Sequence, residues 1–120
     1  MRRRATRNSF GRGVRPVDDA EFRDALLKAV DYGLLVLGEI VRKTIYERLE
    51  SNYQVKRADI PEKLESFHRA LAGLFGRRGI IIERLIARKL YSKLRLKFEE
   101  HEGWTLVDYV NHAKKAVRIG

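Results

Sequence analysis

Arginine is the residue whose placement in this sequence could do chemistry. Arg2, Arg3, Arg4, Arg7, Arg12 and Arg15 stand within the first sixteen positions with no acid among them, and Arg77, Arg78, Arg84, Arg88 and Arg95 lie in a second basic tract. A guanidinium is planar, permanently charged and armed with a fork of N–H donors that matches phosphate. It also stacks on exposed bases. Arginines grouped in this way point to a polyanion, and nucleic acid is the polyanion that engages both properties.

The distribution of charge supports the same two tracts. The chain of 120 residues has 26 Lys and Arg against 16 Asp and Glu, a formal charge of +10. Residues 1–16 contribute +6. Residues 77–97 contribute +7, with Glu83 the one acid among eight basic side chains. The rest of the chain is slightly acidic, so a polyanionic partner is expected at these two places.

Residues for catalysis are scarce. There is no Cys, which excludes thiolate nucleophiles, disulfides and cysteine zinc sites together. Among the histidines, His101 and His112 lie near Glu99, Glu100, Glu102 and Asp108, but the spacing matches no metal-ligand pattern. His68 reads as an exposed helix position. FGRRG, ending at Gly79, is too short for a phosphate-cradling loop, and none of Ser9, Ser51, Ser66 and Ser92 has the surroundings of an activated nucleophile. The expectation is a protein with no catalytic residues, no metal site and no cofactor. Trp104, Tyr109, Tyr46 and Tyr91 invite a base-stacking reading. Tyr46 and Tyr91 sit beside apolar neighbours, however, and packing is their expected work, with Trp104 anchoring the last helix.

The elements that must position these arginines read as helices. Residues 1–16 lack any period and are expected to form a disordered arm; residues 17–120 carry enough apolar material for one helical domain. Shifting the chain by 45 residues aligns segment 21–49 with 66–94, pairing Phe22 with Phe67, Leu26 with Leu71 and Tyr46 with Tyr91. The expected fold is all-α: two duplicated hairpins with helices near 19–31, 34–51, 61–75 and 79–95, plus a C-terminal helix from Thr105. Turns are expected at Gly33 and Gly76. Asp18 should cap the first helix, Asp59 with Pro61 should open the third, and the Thr105 hydroxyl should cap the last. The alternation Leu94 to Phe98 leaves a short strand or hairpin near 94–104 as the lesser architecture. Leu26, Leu37, Ile40, Val41, Ile45, Leu49, Leu71, Leu85, Ile86 and Leu90 are the expected core.

The duplication also isolates the second basic tract. Glu39 and Glu50 of the first copy become Arg84 and Arg95 in the second, and Lys43 becomes Arg88. On a helix continued to residue 95, Arg84, Arg88 and Arg95 fall within about 40° of one another. Arg77 and Arg78 would stand near that helix's start, where cations oppose the dipole. A bound anion accounts for them; so would a network of ion pairs of the kind found in thermophiles, whose composition this chain shares in its few Asn, Gln and Met.

The segments LLVLGEIVRKTIYERLE, IPEKLESFHRALAGLFG, IIERLIARKLYSKL and TLVDYV together resemble the archaeal Nitrosopumilus output domain family over about residues 18 to 115. The resemblance rests on a pattern of Leu, Gly, Ile and Tyr and implies an archaeal source, a helical fold and a regulatory or interaction role. It implies no functional residues and does not reach the arm. The reading is therefore a non-enzymatic, cytoplasmic domain associated with RNA or DNA, within a ribonucleoprotein or a regulatory complex. The other reading is a protein-interaction or signalling output module, with a homodimer among its forms and no nucleic acid contact. No apolar run is long enough for a membrane span.

Overall fold

Helix α1 (Asp19–Leu35) begins where local chemistry dictates. The Asp18 carboxylate accepts a hydrogen bond from the Glu21 N–H at 2.7 Å, satisfying one of the donors a helix start leaves unpaired. The structure, a computed structural model, describes residues 16–117; Arg2, Arg3, Arg4, Arg7, Arg12, Arg15 and the expected disorder of the arm lie outside the described residues. Among the described residues there are five α-helices and no strand, so the fold is all-α.

The first turn is not at Gly33. That glycine is buried inside α1, and the chain turns at residues 36–38, where Gly38 has a φ of 115°. A Cβ on Gly33 would stand 2.5 Å from Ile86 Cγ1, so the missing side chain lets α1 and α4 approach each other.

Helix α2 (Glu39–Tyr53) buries only Ile45 and Leu49. Val41, Ile45, Leu49 and Tyr53 recur every four residues and form one narrow stripe against the bundle. Ile40 is one residue, or about 100°, out of that phase. It is 80% exposed, against its expected place in the core. Leu37, Val41 and Leu85 are half-buried, and the other expected core residues are buried.

Asp59 and Pro61 do not open the third helix. Residues Arg57–Glu62 form a separate 3-10 turn pinned by the fully buried Ile60, and the non-helical backbone of Lys63, with φ -128° and ψ 44°, separates it from α3 (Leu64–Phe75). A second short 3-10 turn, Gly76–Arg78, leads into α4 (Gly79–Lys93), and α5 (Leu106–Val117) follows the loop of residues 94–105. Helices α1, α2, α3 and α4 form a ring in which each touches its two neighbours, and α5 lies against α3 and α4. The two hairpins are unequal, since α1 has 17 residues and α3 has 12. Their turns consequently stand about five residues out of the 45-residue register. No helix among the described residues is long and apolar enough to cross a membrane.

Segment 94–104 is neither strand nor hairpin. Leu94, Leu96 and Phe98 are half-buried while Arg95, Lys97 and Glu99 are exposed, so the alternation records a loop lying on the bundle with no strand beside it to pair with. The loop opens on a helix-ending turn in which the Leu96 N–H donates to the Tyr91 carbonyl at 2.8 Å and Arg95 takes a φ of 60°. That position ordinarily favours glycine. Arg95→Gly is expected to raise stability by about 0.5 to 1 kcal/mol by relieving the left-handed backbone, read as an upward shift of the thermal midpoint.

Candidate functional site

Helix α4 positions the second basic tract, and its phase decides which charges face water. Gly79, Ile82, Glu83, Ile86, Ala87, Leu90 and Tyr91 are its buried set, recurring at three- and four-residue spacing. Glu83, the tract's one acid, thus points inward and is 2% exposed. Its Oε1 accepts the Leu106 N–H at 2.7 Å, capping the start of α5, and its Oε2 lies 2.6 Å from His68 Nδ1 on α3. One carboxylate therefore ties α3, α4 and α5 together. His68 is half-buried as its partner and not the exposed residue expected. Thr105 does not cap α5 through its hydroxyl. Glu83 takes the Leu106 donor, and the Asp108 carboxylate accepts the Thr105 N–H at 2.9 Å.

The outward face of α4 then presents arginine, but in a different arrangement from the one expected. Arg84 and Arg88 share a single carboxylate, Glu100 of the following loop, at 3.9 and 3.2 Å. The Arg88 guanidinium also lies over the Phe98 ring, 5.2 Å from its centre. Arg95 does not align with them, because α4 ends at Lys93 and Arg95 turns away in the left-handed region. Arg77 and Arg78 occupy the 3-10 turn ahead of α4, both exposed. Among the described residues, Arg77, Arg78, Lys93 and Arg95 have no carboxylate within ion-pair distance. Lys89 lies over the Tyr32 ring of α1 at 4.5 Å. Two arginines are partly neutralised by one acid, and the cations unpaired among the described residues, Arg77, Arg78, Lys93 and Arg95, stand at the two ends of α4.

A polar cleft of about 600 Å³ between α1, α2 and the 57–62 turn has no counterpart in the sequence pattern. At its wall the Arg57 guanidinium donates to both Asp31 oxygens, at 2.9 and 2.5 Å, and the Tyr46 hydroxyl donates to the same carboxylate. Burial pushes the Asp31 carboxyl up, but the hydrogen bonds from Arg57 and Tyr46 more than offset it and hold it below the usual carboxylate range. Burial and the Asp31 carboxylate together push the Tyr46 hydroxyl well above its ordinary range. Asp31 binds its proton less readily folded than unfolded. Its contribution is therefore complete above the unfolded value near pH 4 and is lost as pH falls through the folded one. Asp31→Asn is expected to narrow the stability difference between pH 7 and pH 3, measured by denaturant unfolding at both. The groups on this wall are mutually satisfied, so the cleft is a structural joint holding the 57–62 turn on α1.

On another side the molecule exposes apolar groups. Tyr32, Leu35, Val36, Ile40 and Ile81 are each between 44% and 80% exposed and come from the end of α1 and the first turns of α2 and α4. Among the described residues no three metal-ligating side chains stand together. Comparison with protein-family models, curated proteins and solved structures returns no match for this chain.

Proposed function

We propose that this chain is a non-enzymatic nucleic-acid-associated domain that holds phosphate along α4 and its flanking turns, assisted by the arginines of residues 1–16. The observation that carries the reading is the inward turn of Glu83. With that carboxylate buried, no acid of the tract itself reaches the surface, and Arg77, Arg78, Lys93 and Arg95 stay unpaired among the described residues. Arg77 and Arg78 stand between the C-terminal end of α3, whose dipole favours cations, and the entrance to α4, whose dipole favours an anion, so a phosphate seated at that junction would meet both. Contacts of this kind position a protein on the backbone without reading sequence.

The test is binding to an oligonucleotide across a salt series. Changing Arg77 and Arg78 together to Gln is expected to weaken binding and to reduce the slope of log affinity against log salt by about 0.7 to 0.9 for each phosphate no longer held. The thermal midpoint should hold, because neither arginine has a carboxylate partner among the described residues. Unchanged affinity and slope would overturn the reading. The exposed apolar side chains Tyr32, Leu35, Val36, Ile40 and Ile81 favour a second reading, a protein-interaction module. It expects partner binding that salt barely affects and no retention on nucleic acid.

A further inference from the structure

At the end of the loop that follows α4, the chain makes a tight turn that sets two rings face to face. The Trp104 N–H donates to the His101 carbonyl at 3.2 Å, and Gly103 supplies the φ of 84° that the third position of such a turn requires. The His101 ring consequently lies on the Trp104 indole, centres 4.0 Å apart and planes within 19°. Beneath them Tyr109 is buried. It meets Trp104 at 5.1 Å and 65°, and its hydroxyl accepts the His101 backbone N–H at 2.9 Å. His112, exposed on α5, stands 5.6 Å from Trp104 and 6.5 Å from His101.

Anchoring α5 accounts for Trp104 against Tyr109 but not for His101 stacked above it. His101 is exposed and removes little apolar surface from water where it lies. What the stack does provide is an exposed ring laid on an indole and tied through the backbone to a buried tyrosine. The charges around it are ordered. Arg88 sits on Phe98, which packs on Tyr109 at 5.3 Å, so a cation borders the same aromatic cluster. Lys115 follows His112 by one helical turn on α5 and is exposed. Glu99, Glu100, Glu102 and Asp108 are the nearby acids; Glu100 is engaged by Arg84 and Arg88, and Asp108 by Thr105. The exposed Glu102 beside the stack disfavours phosphate there. An apolar π-face at that point, with phosphate toward Arg88 and Lys115, satisfies both.

We propose that His101 and Trp104 form a stacking platform for unpaired bases, so that the ligand of the α4 cations is single-stranded nucleic acid. This rests on the nucleic-acid reading above. A duplex keeps its bases stacked on one another and offers this platform nothing, whereas a single strand can lay a base on it.

Trp104 is the sole tryptophan, so its fluorescence reports the site directly. The full chain is titrated at low salt with a fifteen-nucleotide oligothymidine, a duplex of the same length and an abasic strand of the same length, roughly the span one binding module covers. The single strand should quench Trp104 and bind most tightly, and the abasic strand should bind without quenching. His101→Ala should lose about tenfold in single-strand affinity while keeping its salt slope. His101→Phe, which keeps a ring, should retain affinity. If duplex or abasic strand binds as tightly as the single strand with no change in emission, the platform is overturned and the phosphate reading stands. If none of the three binds, the nucleic-acid reading fails and the platform with it.

Discussion

Replacing Glu83 with Ala is expected to destabilise the domain by about 3 to 4 kcal/mol, a large effect for a single polar side chain. Three losses add at this position. The Leu106 N–H at the start of α5 is left buried and unpaired, which alone costs about 1 to 3 kcal/mol. His68 loses its partner at 2.6 Å, and the removed carboxyl-bearing stem leaves a void beside Ile82, Ile86 and Ala87. On a domain of this size the thermal midpoint should fall by on the order of 15 °C. Glu83→Gln tests the mechanism separately from the void. Its amide oxygen can still accept the Leu106 N–H and its NH₂ can donate to an unprotonated His68 nitrogen, so the loss should be about 1 to 2 kcal/mol, reflecting the missing charge. Equal losses for Ala and Gln would mean that the charge, and not the pair of hydrogen bonds, holds α5 in place. A loss below about 1 kcal/mol for Ala would mean that the three-helix tie is not a stability determinant at all.

The same residue links stability to the proposed function. An outward-facing acid at position 83 would neutralise part of the tract and leave α5 without its cap, whereas the inward orientation serves both the core and the electrostatics of the face. The pairing of Arg84 and Arg88 with Glu100 limits how far those two can serve a polyanion. Each has over a third of its side chain exposed, so the pairs are weak and open to competition from phosphate. The unpaired Arg77, Arg78, Lys93 and Arg95 make no such compromise among the described residues.

Features set by neighbours along the chain were legible in the sequence. Asp18 caps α1 because its carboxylate needs to reach only three residues, and the apolar phase of α4 follows from Ile82, Ile86 and Leu90 alone. That phase already contained Glu83, between Ile82 and Ile86; a lone acid on the apolar face of a basic helix is the signal that would have found it. Features set by packing were not legible. Gly33 has the same local preference in a turn as at a helix crossing, and only the presence of Ile86 distinguishes them. Arg95 falls on the arginine face only if α4 continues past Lys93, and the end of α4 depends on where the loop finds its burial. Leu96 and Phe98 alternate as a strand would because one side of an extended loop touches the bundle. His101 and Trp104 gave no sequence signal of stacking beyond their proximity, since the contact needs the turn at Gly103.

Gly33→Ala should separate the two roles of that glycine by the sign of its effect. In an ordinary helix interior, alanine is about 1 kcal/mol more favourable than glycine, so a glycine held there only by chance would be improved by the change. Here the new Cβ would stand 2.5 Å from Ile86 Cγ1, an atom one bond from the branch point of a fully buried side chain. Close packing leaves Ile86 little room to rotate away, and overpacking of this kind costs about 1 to 3 kcal/mol, toward its upper end where the clashing atom lies near the backbone. The net expectation is a loss of about 2 kcal/mol, read by denaturant unfolding. Ile86→Ala removes the clashing Cγ1 together with Cδ1, and the contact with Ile86 Cα, at 3.6 Å, is ordinary van der Waals distance. In that background, itself weakened by about 2 to 5 kcal/mol through the missing isoleucine, Gly33→Ala should become neutral or stabilising, a coupling of about 2 kcal/mol between residues that touch directly. A stabilising Gly33→Ala in the unaltered chain would show that the α1–α4 approach does not depend on the missing side chain.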